Sequence, residues 1–183
     1  LSEHFSKQLA ETLRVLVGIT RFRGGPQDLP VSPRLLILMV VLSIIPDLLV
    51  SALGPATNVN LVIPLAISIV FTLGWYGGML KLAGKPERFL QTLTAIFGVQ
   101  FVLTPVLVLG GWFFATYQRD PGWQVFASFL ALIIAIWVLV ILVRILRAAT
   151  EWSLALCIVT TFASQFVALQ LMASLLPEAA AAK

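Results

Sequence analysis

Five apolar runs of about twenty residues each, separated by short polar turns, occupy nearly everything after residue 33. That length is what a helix needs to cross the hydrocarbon core of a bilayer. Composition agrees: 60% of the 183 residues are hydrophobic and 11% are charged, against about 45–50% and about 25% in soluble domains. The expected fold is all-α, a polytopic membrane protein with an N-terminal amphipathic surface helix followed by five transmembrane helices. Residues 1–33 read as a cytoplasmic helix and connector, 34–176 as the membrane domain and 177–183 as a tail. The third run, PERFLQTLTAIFGVQFVLTPVLVLGGWFFATY at 86–117, is charged only in its first turn and interrupted by Pro105. The other four must pack around or beside it.

In chain order, Phe5, Leu9, Leu13 and Leu16 fall at helical spacing, with Glu3, Lys7, Glu11 and Arg14 on the other side. Such a helix is too polar to span. It either lies on the membrane surface or packs on the protein's own cytoplasmic ends. RFRGGPQDLPVSPR follows, with two glycines and three prolines, and is expected to be an extended connector near the headgroups. Ser32 before Pro33 is a helix-start signal, a hydroxyl cap with proline in the first turn. The spans are expected over 34–53, 60–82, 86–117, 122–145 and 152–176. Asp120–Pro121 repeats the start signal before the fourth. PEAAAAK reads as a frayed helix end or appended linker, and no internal repeat is evident.

Charge then orients the threading. With the N-terminus cytoplasmic, ten of the twelve Lys and Arg fall inside, namely Lys7, Arg14, Arg21, Arg23, Arg34, Lys81, Lys85, Arg88, Arg144 and Arg147. Only Arg119 and Lys183 fall outside. Basic residues favour the cytoplasmic side, so the reading is N-inside and C-outside in a bacterial inner (plasma) membrane. Trp112, Tyr117 and Trp123 would form the outer aromatic belt, and Trp75, Tyr76 and Trp152 the inner one. The net charge of +4 follows this threading, and no nucleic-acid partner is expected.

Chemistry is sparse. Asp47 is the one acidic residue well inside a span, where a charge costs about 2.5–3.5 kcal/mol at the bilayer centre. It reads either as a water-reached carboxylate bonded to Asn58 or Asn60, or as an ion or proton site. The third span carries Gln91, Gln100, Thr104 and Pro105, a polar side that serves as helix glue or as a groove for a lipid or quinone headgroup. Pro105 frees the carbonyl of Phe101, which a neighbour must satisfy. Arg21, Arg23, Arg34, Lys85 and Arg88 are candidates for lipid phosphates, although the GKPERF turn also suits simply holding its loop in place. Small residues repeat at steps of three and four: Gly74 and Gly78 on the second span, Ala127, Ala131 and Ala135 on the fourth, and Ser153, Cys157, Thr160, Ser164 and Ala168 on the fifth. They predict close helix packing, within the bundle or with another membrane protein or second copy. The bulky stretch 136–143 is expected to face lipid.

Enzyme templates lack material. His4 is the only histidine and Cys157 the only cysteine, so a histidine metal site, a Ser-His-Asp triad or a disulfide framework cannot be assembled within the chain. No cofactor and no catalysis are expected.

Residues 84–111 resemble the Yip family of multi-span membrane proteins, which share a glycine-led basic turn, a Phe-x-x-Thr-Leu-like helix start and a mid-span proline. Gly84, Phe89, Thr92, Leu93 and Pro105 hold those positions. The resemblance implies five spans, a cytoplasmic N-terminus and a non-enzymatic membrane organiser. Eukaryotic relatives bind small GTPases, but the family's Asp-Leu-Tyr-Gly-Pro element is matched only by QDLP at 27–30, and that partner is not transferred. The expected function is a structural, assembly or regulatory subunit, a scaffold working through helix–helix contacts. The alternative is a small transporter or lipid- or quinone-handling protein using Asp47 and the polar side of the third span.

Overall fold

The computed structural model describes residues 2–53, 62–117 and 119–175, and within them all regular structure is helical. Seven α-helices follow in order: α1 (Ser2–Thr20), α2 (Pro33–Leu53), α3 (Val62–Leu82), α4 (Phe89–Val102), α5 (Thr104–Tyr117), α6 (Gln124–Thr150) and α7 (Leu154–Leu175). One-turn 3-10 helices at Pro26–Asp28 and Pro86–Arg88 precede α2 and α4. Asn58, Asn60 and the 177–183 tail lie outside the described residues.

Three helices are long and apolar enough to cross a bilayer: α3, α6 and, over Leu154–Ser174, α7. The third expected span is two helices. The Pro86–Val102 and Thr104–Tyr117 segments meet at a 54° bend and make a fourth crossing only if taken together. Pro105 causes the break, because it has no N–H for the carbonyl of Phe101 and its ring crowds that carbonyl. The ladder survives on either side, with Leu103 N–H on Val99 O at 2.9 Å and Leu107 N–H on Leu103 O at 2.9 Å. Each half has 14 residues, about 21 Å of helix. α2 has 21 residues, as α3 does.

α4 is the hub. Thr92 to Val99 are all buried, eight residues in succession and therefore every side of the helix. A helix buried all round must be apolar or small all round, and FLQTLTAIFGVQFV meets that with Thr92, Thr94, Ala95 and Gly98 letting neighbours in. α2 makes the most extensive contact with it, and α1, α3 and α6 cover the remaining sides.

α1 packs on the protein, against α4. Leu16 is fully buried (0% exposed), together with Thr12 and Ile19, whereas Glu11 and Arg14 are exposed. Its seat is Gly98: a β-carbon there would come within 2.5 Å of Leu16 Cδ1.

The connector is compact rather than extended. Phe22 (φ 62°) and Gly24 (φ 97°) turn the chain in the left-handed region, and Asp28 Oδ2 accepts from Gly25 N–H at 2.9 Å. Pro33 opens α2 as expected, Ser32 Oγ accepting from Leu35 N–H at 3.4 Å. α6 overruns its expected end at residue 145 and continues to Thr150. The 136–143 stretch is divided: Ile136 and Val140 are exposed, but Ile141 and Val143 lie in the core. One end of the bundle is thus densely packed, while most of α6 before Ile141 is open on its outer side.

Candidate functional site

The basic residues converge on the packed end. Arg88, closing the turn before α4, donates from Nη1 to the carbonyls of Ala148 and Ala149 at 3.0 and 3.1 Å. These are among the last carbonyls of α6, which have no partner within the helix. Glu151, in the left-handed conformation past that end (φ 61°), pairs with Lys85 and with Arg88 Nη2, the latter at 2.9 Å. The Lys85 ammonium foremost, and then the Arg88 guanidinium, hold its carboxyl below the ordinary glutamate range. Arg144 Nη2 donates to Phe22 O at 3.1 Å, and its guanidinium sits 5.2 Å from the Phe22 ring centre.

The five candidate phosphate ligands therefore divide. Lys85 and Arg88 are engaged inside the protein, while Arg21, Arg23 and Arg34 are exposed.

The polar residues of the third span also part company. Gln91 Nε2 donates to Leu29 O at 2.7 Å and Gln27 O at 3.2 Å, pinning the connector to α4. Pro105 faces outward. Thr104 Oγ1 is buried without a hydrogen-bond partner, as are Trp75 Nε1, Thr94 Oγ1 and Thr161 Oγ1. Gln100 of the set lines a cavity. Asp47 is exposed on α2 and does not share that cavity, so the structure does not bring it together with the polar side of the third span.

The Gln100 cavity measures about 280 Å³ and is lined by residues of α3, α4, α5, α6 and α7. Ser68, Thr72, Tyr76, Ser164 and Gln165 supply the rest of its polar lining. Tyr76 is 4% exposed and Ser164 2%. Ser164 Oγ donates to Thr161 O at 2.7 Å. Tyr76 thus belongs to the interior and not to an inner aromatic belt. Beside the cavity, a groove of about 700 Å³ runs between α5 and α6 to Phe162 on α7, past Gly110, Phe114, Ala131 and Ala135. Leu107, Val138, Leu142 and Gln165 line both spaces.

Of the packing stripes, Ala127 is buried and Ala131 and Ala135 face the groove, so part of the α6 stripe is left unfilled. On α7 the inward line runs through Cys157, Thr161 and Ser164, with Thr160 turned half out. Gly74 is exposed, Gly78 is half-buried, and a β-carbon at either would meet nothing within 4 Å.

Sequence reasoning missed Ser68, Thr72, Tyr76 and Gln165 as one set with Gln100. The available signal was a polar residue near the middle of the second, third and fifth apolar runs. No family model, curated protein or solved structure matches the chain. Fold and composition define a class, an all-helical protein with several helices able to cross a membrane.

Proposed function

We propose that this chain is a five-span integral membrane protein of the bacterial inner membrane, N-terminus cytoplasmic, acting as a structural, assembly or regulatory subunit. It has no chemistry of its own and works by holding other membrane proteins, or a second copy, against its helices. α2 and the bent α4–α5 pair supply the two crossings beyond α3, α6 and α7. The exposed basic residues Arg21, Arg23 and Arg34 then face the anionic leaflet. No nucleic acid is involved. The Yip resemblance points the same way, and its Thr92 and Leu93 are hub positions, both fully buried.

The observation that carries this reading is the outer face of α3. Only Tyr76 and Leu80 of α3 are buried, and Ala66, Val70 and Gly74 are exposed in steps of four leading to Gly78. Glycine at Gly98 is filled by a neighbour, whereas Gly74 and Gly78 are left open. In lipid, helices associate through close backbone approach at such small-residue faces.

Gly74→Leu with Gly78→Leu is expected to lower cross-linked or co-purified partner by about tenfold, corresponding to about 1.4 kcal/mol. The fold should be unaffected, because a β-carbon added at either position meets nothing within 4 Å. Undiminished association of the double variant would contradict the reading. Ala131 and Ser164 are unsuitable for this test, since one lines the groove and the other is buried.

A second reading, lipid or quinone handling, is favoured by the Gln100 cavity alone. Asp47 takes no part in it.

A further inference from the structure

We infer that the Gln100 cavity and the α5–α6 groove together bind one long-chain lipid with an uncharged, hydrogen-bonding head, its head among Tyr76, Gln100 and Gln165 and its chain along the groove. This goes beyond the helix-contact function and does not depend on it.

Depth comes first. Thr72 is the midpoint of α3, Ser164 the midpoint of Leu154–Ser174, and Val138 lies one residue past the midpoint of α6. On the fourth side, Gln100 and Leu107 flank the break in the bent pair. The polar cavity thus sits at mid-height in every helix able to span a bilayer, where lipid offers no hydrogen bonds. Interrupted helices at that level are a recurrent way to line a binding site.

Unmet polarity comes second. Gln100 and Gln165 make no hydrogen bond to any described residue, and the one faces the cavity while the other lies at its junction with the groove. A carboxamide without a partner in hydrocarbon is costly. Each offers two donors and an acceptor, as a ligand head carrying carbonyl or hydroxyl oxygens requires. Tyr76, 4% exposed, adds a hydroxyl from α3.

Charge comes third. Neither space has an Asp, Glu, Lys or Arg in its lining, which disfavours a phosphate or carboxylate head and an inorganic ion alike. The groove contributes a single polar residue, Gln165, among aliphatic and aromatic side chains, and opens sideways past the exposed Leu132 and Ile136. Volumes of about 280 and 700 Å³ fall together in the range of small-molecule sites, about 300–1,000 Å³.

The shared chemistry, an uncharged oxygen-bearing head on a long chain, has two natural sources: an isoprenoid quinone and a diacylglycerol. The test uses the full chain in detergent micelles, titrated separately with a long-chain isoprenoid quinone, a diacylglycerol and phosphatidic acid. Saturable binding of the quinone or of the diacylglycerol, with phosphatidic acid at least about tenfold weaker, supports the inference and names the source. Gln100→Leu and Tyr76→Phe should each weaken the bound lipid by about tenfold. Gln100→Leu removes an unpartnered amide and so leaves folding intact. Ala135→Trp should block the long-chain lipid while sparing a head analogue that lacks the chain. Failure of both uncharged lipids to bind, equal binding of phosphatidic acid, or unchanged affinity in Gln100→Leu and Tyr76→Phe would overturn it.

Discussion

Arg88→Ala is expected to lower stability by about 2 kcal/mol, because charged hydrogen bonds contribute about 1.5–3 kcal/mol each and this side chain is partly open to solvent. Its guanidinium holds the carbonyls of Ala148 and Ala149 with one nitrogen and Glu151 with another. Removing it leaves the end of α6 without its cap from outside the helix and frees the turn before α4 from α6. Arg88→Lys should recover only part of the loss, since an ammonium is a point charge and cannot reproduce the planar fork. Glu151→Gln should do much less than Arg88→Ala, because the carboxylate is exposed and the carbonyl contacts survive the change. Thermal unfolding in detergent measures the series. Equal losses for Arg88→Ala and Glu151→Gln would show that the ion pair, and not the helix-end contact, matters.

Gly98→Val is expected to have the largest effect on how α1 is held. A β-carbon at residue 98 approaches Leu16 Cδ1, Cδ2 and Cγ within 2.5, 2.7 and 3.2 Å. Leu16 is completely buried, so its side chain has little room to retreat. Overpacking of this kind costs about 1–3 kcal/mol, and the strain is relieved most readily by α1 lifting from α4. Limited proteolysis should then cut α1 in Gly98→Val while sparing the wild type. Leu16→Ala, which alone leaves a cavity costing about 2–5 kcal/mol, should offset part of the Gly98→Val loss when the two are combined. Strictly additive losses would mean that the two residues do not share a contact.

Much of the helical layout is legible in the chain because its signals are local. Ser32–Pro33 starts α2 where the cap and proline say it should, and the run lengths place α3 and α7 to within a residue or two at their described ends. The end of α6 is not local. RAATEW reads as a turn, yet the helix continues through Thr150, where Arg88, sixty residues away in sequence, meets its final carbonyls.

The same limit applies to α1. The spacing of Leu9, Leu13 and Leu16 suits a lipid surface and a protein surface equally, and the residue that receives Leu16, Gly98, stands on another helix. Pro105 does announce a disturbance in the third run. That the disturbance separates two helices at 54°, with Gln100 beside a polar cavity and Asp47 apart from it, depends on four neighbours whose faces no single segment specifies.

We propose that most of this chain is folded for lipid, with the packed basic end in the cytoplasm and the α5–α6 turn outside. In a Cys157→Ser background, Arg119→Cys and Glu87→Cys place single thiols at those two ends, both at exposed positions. With a membrane-impermeant maleimide, the account predicts labelling at residue 119 in intact cells and at residue 87 only after the membrane is permeabilised. Labelling of both in intact cells, or of residue 87 alone, would contradict it.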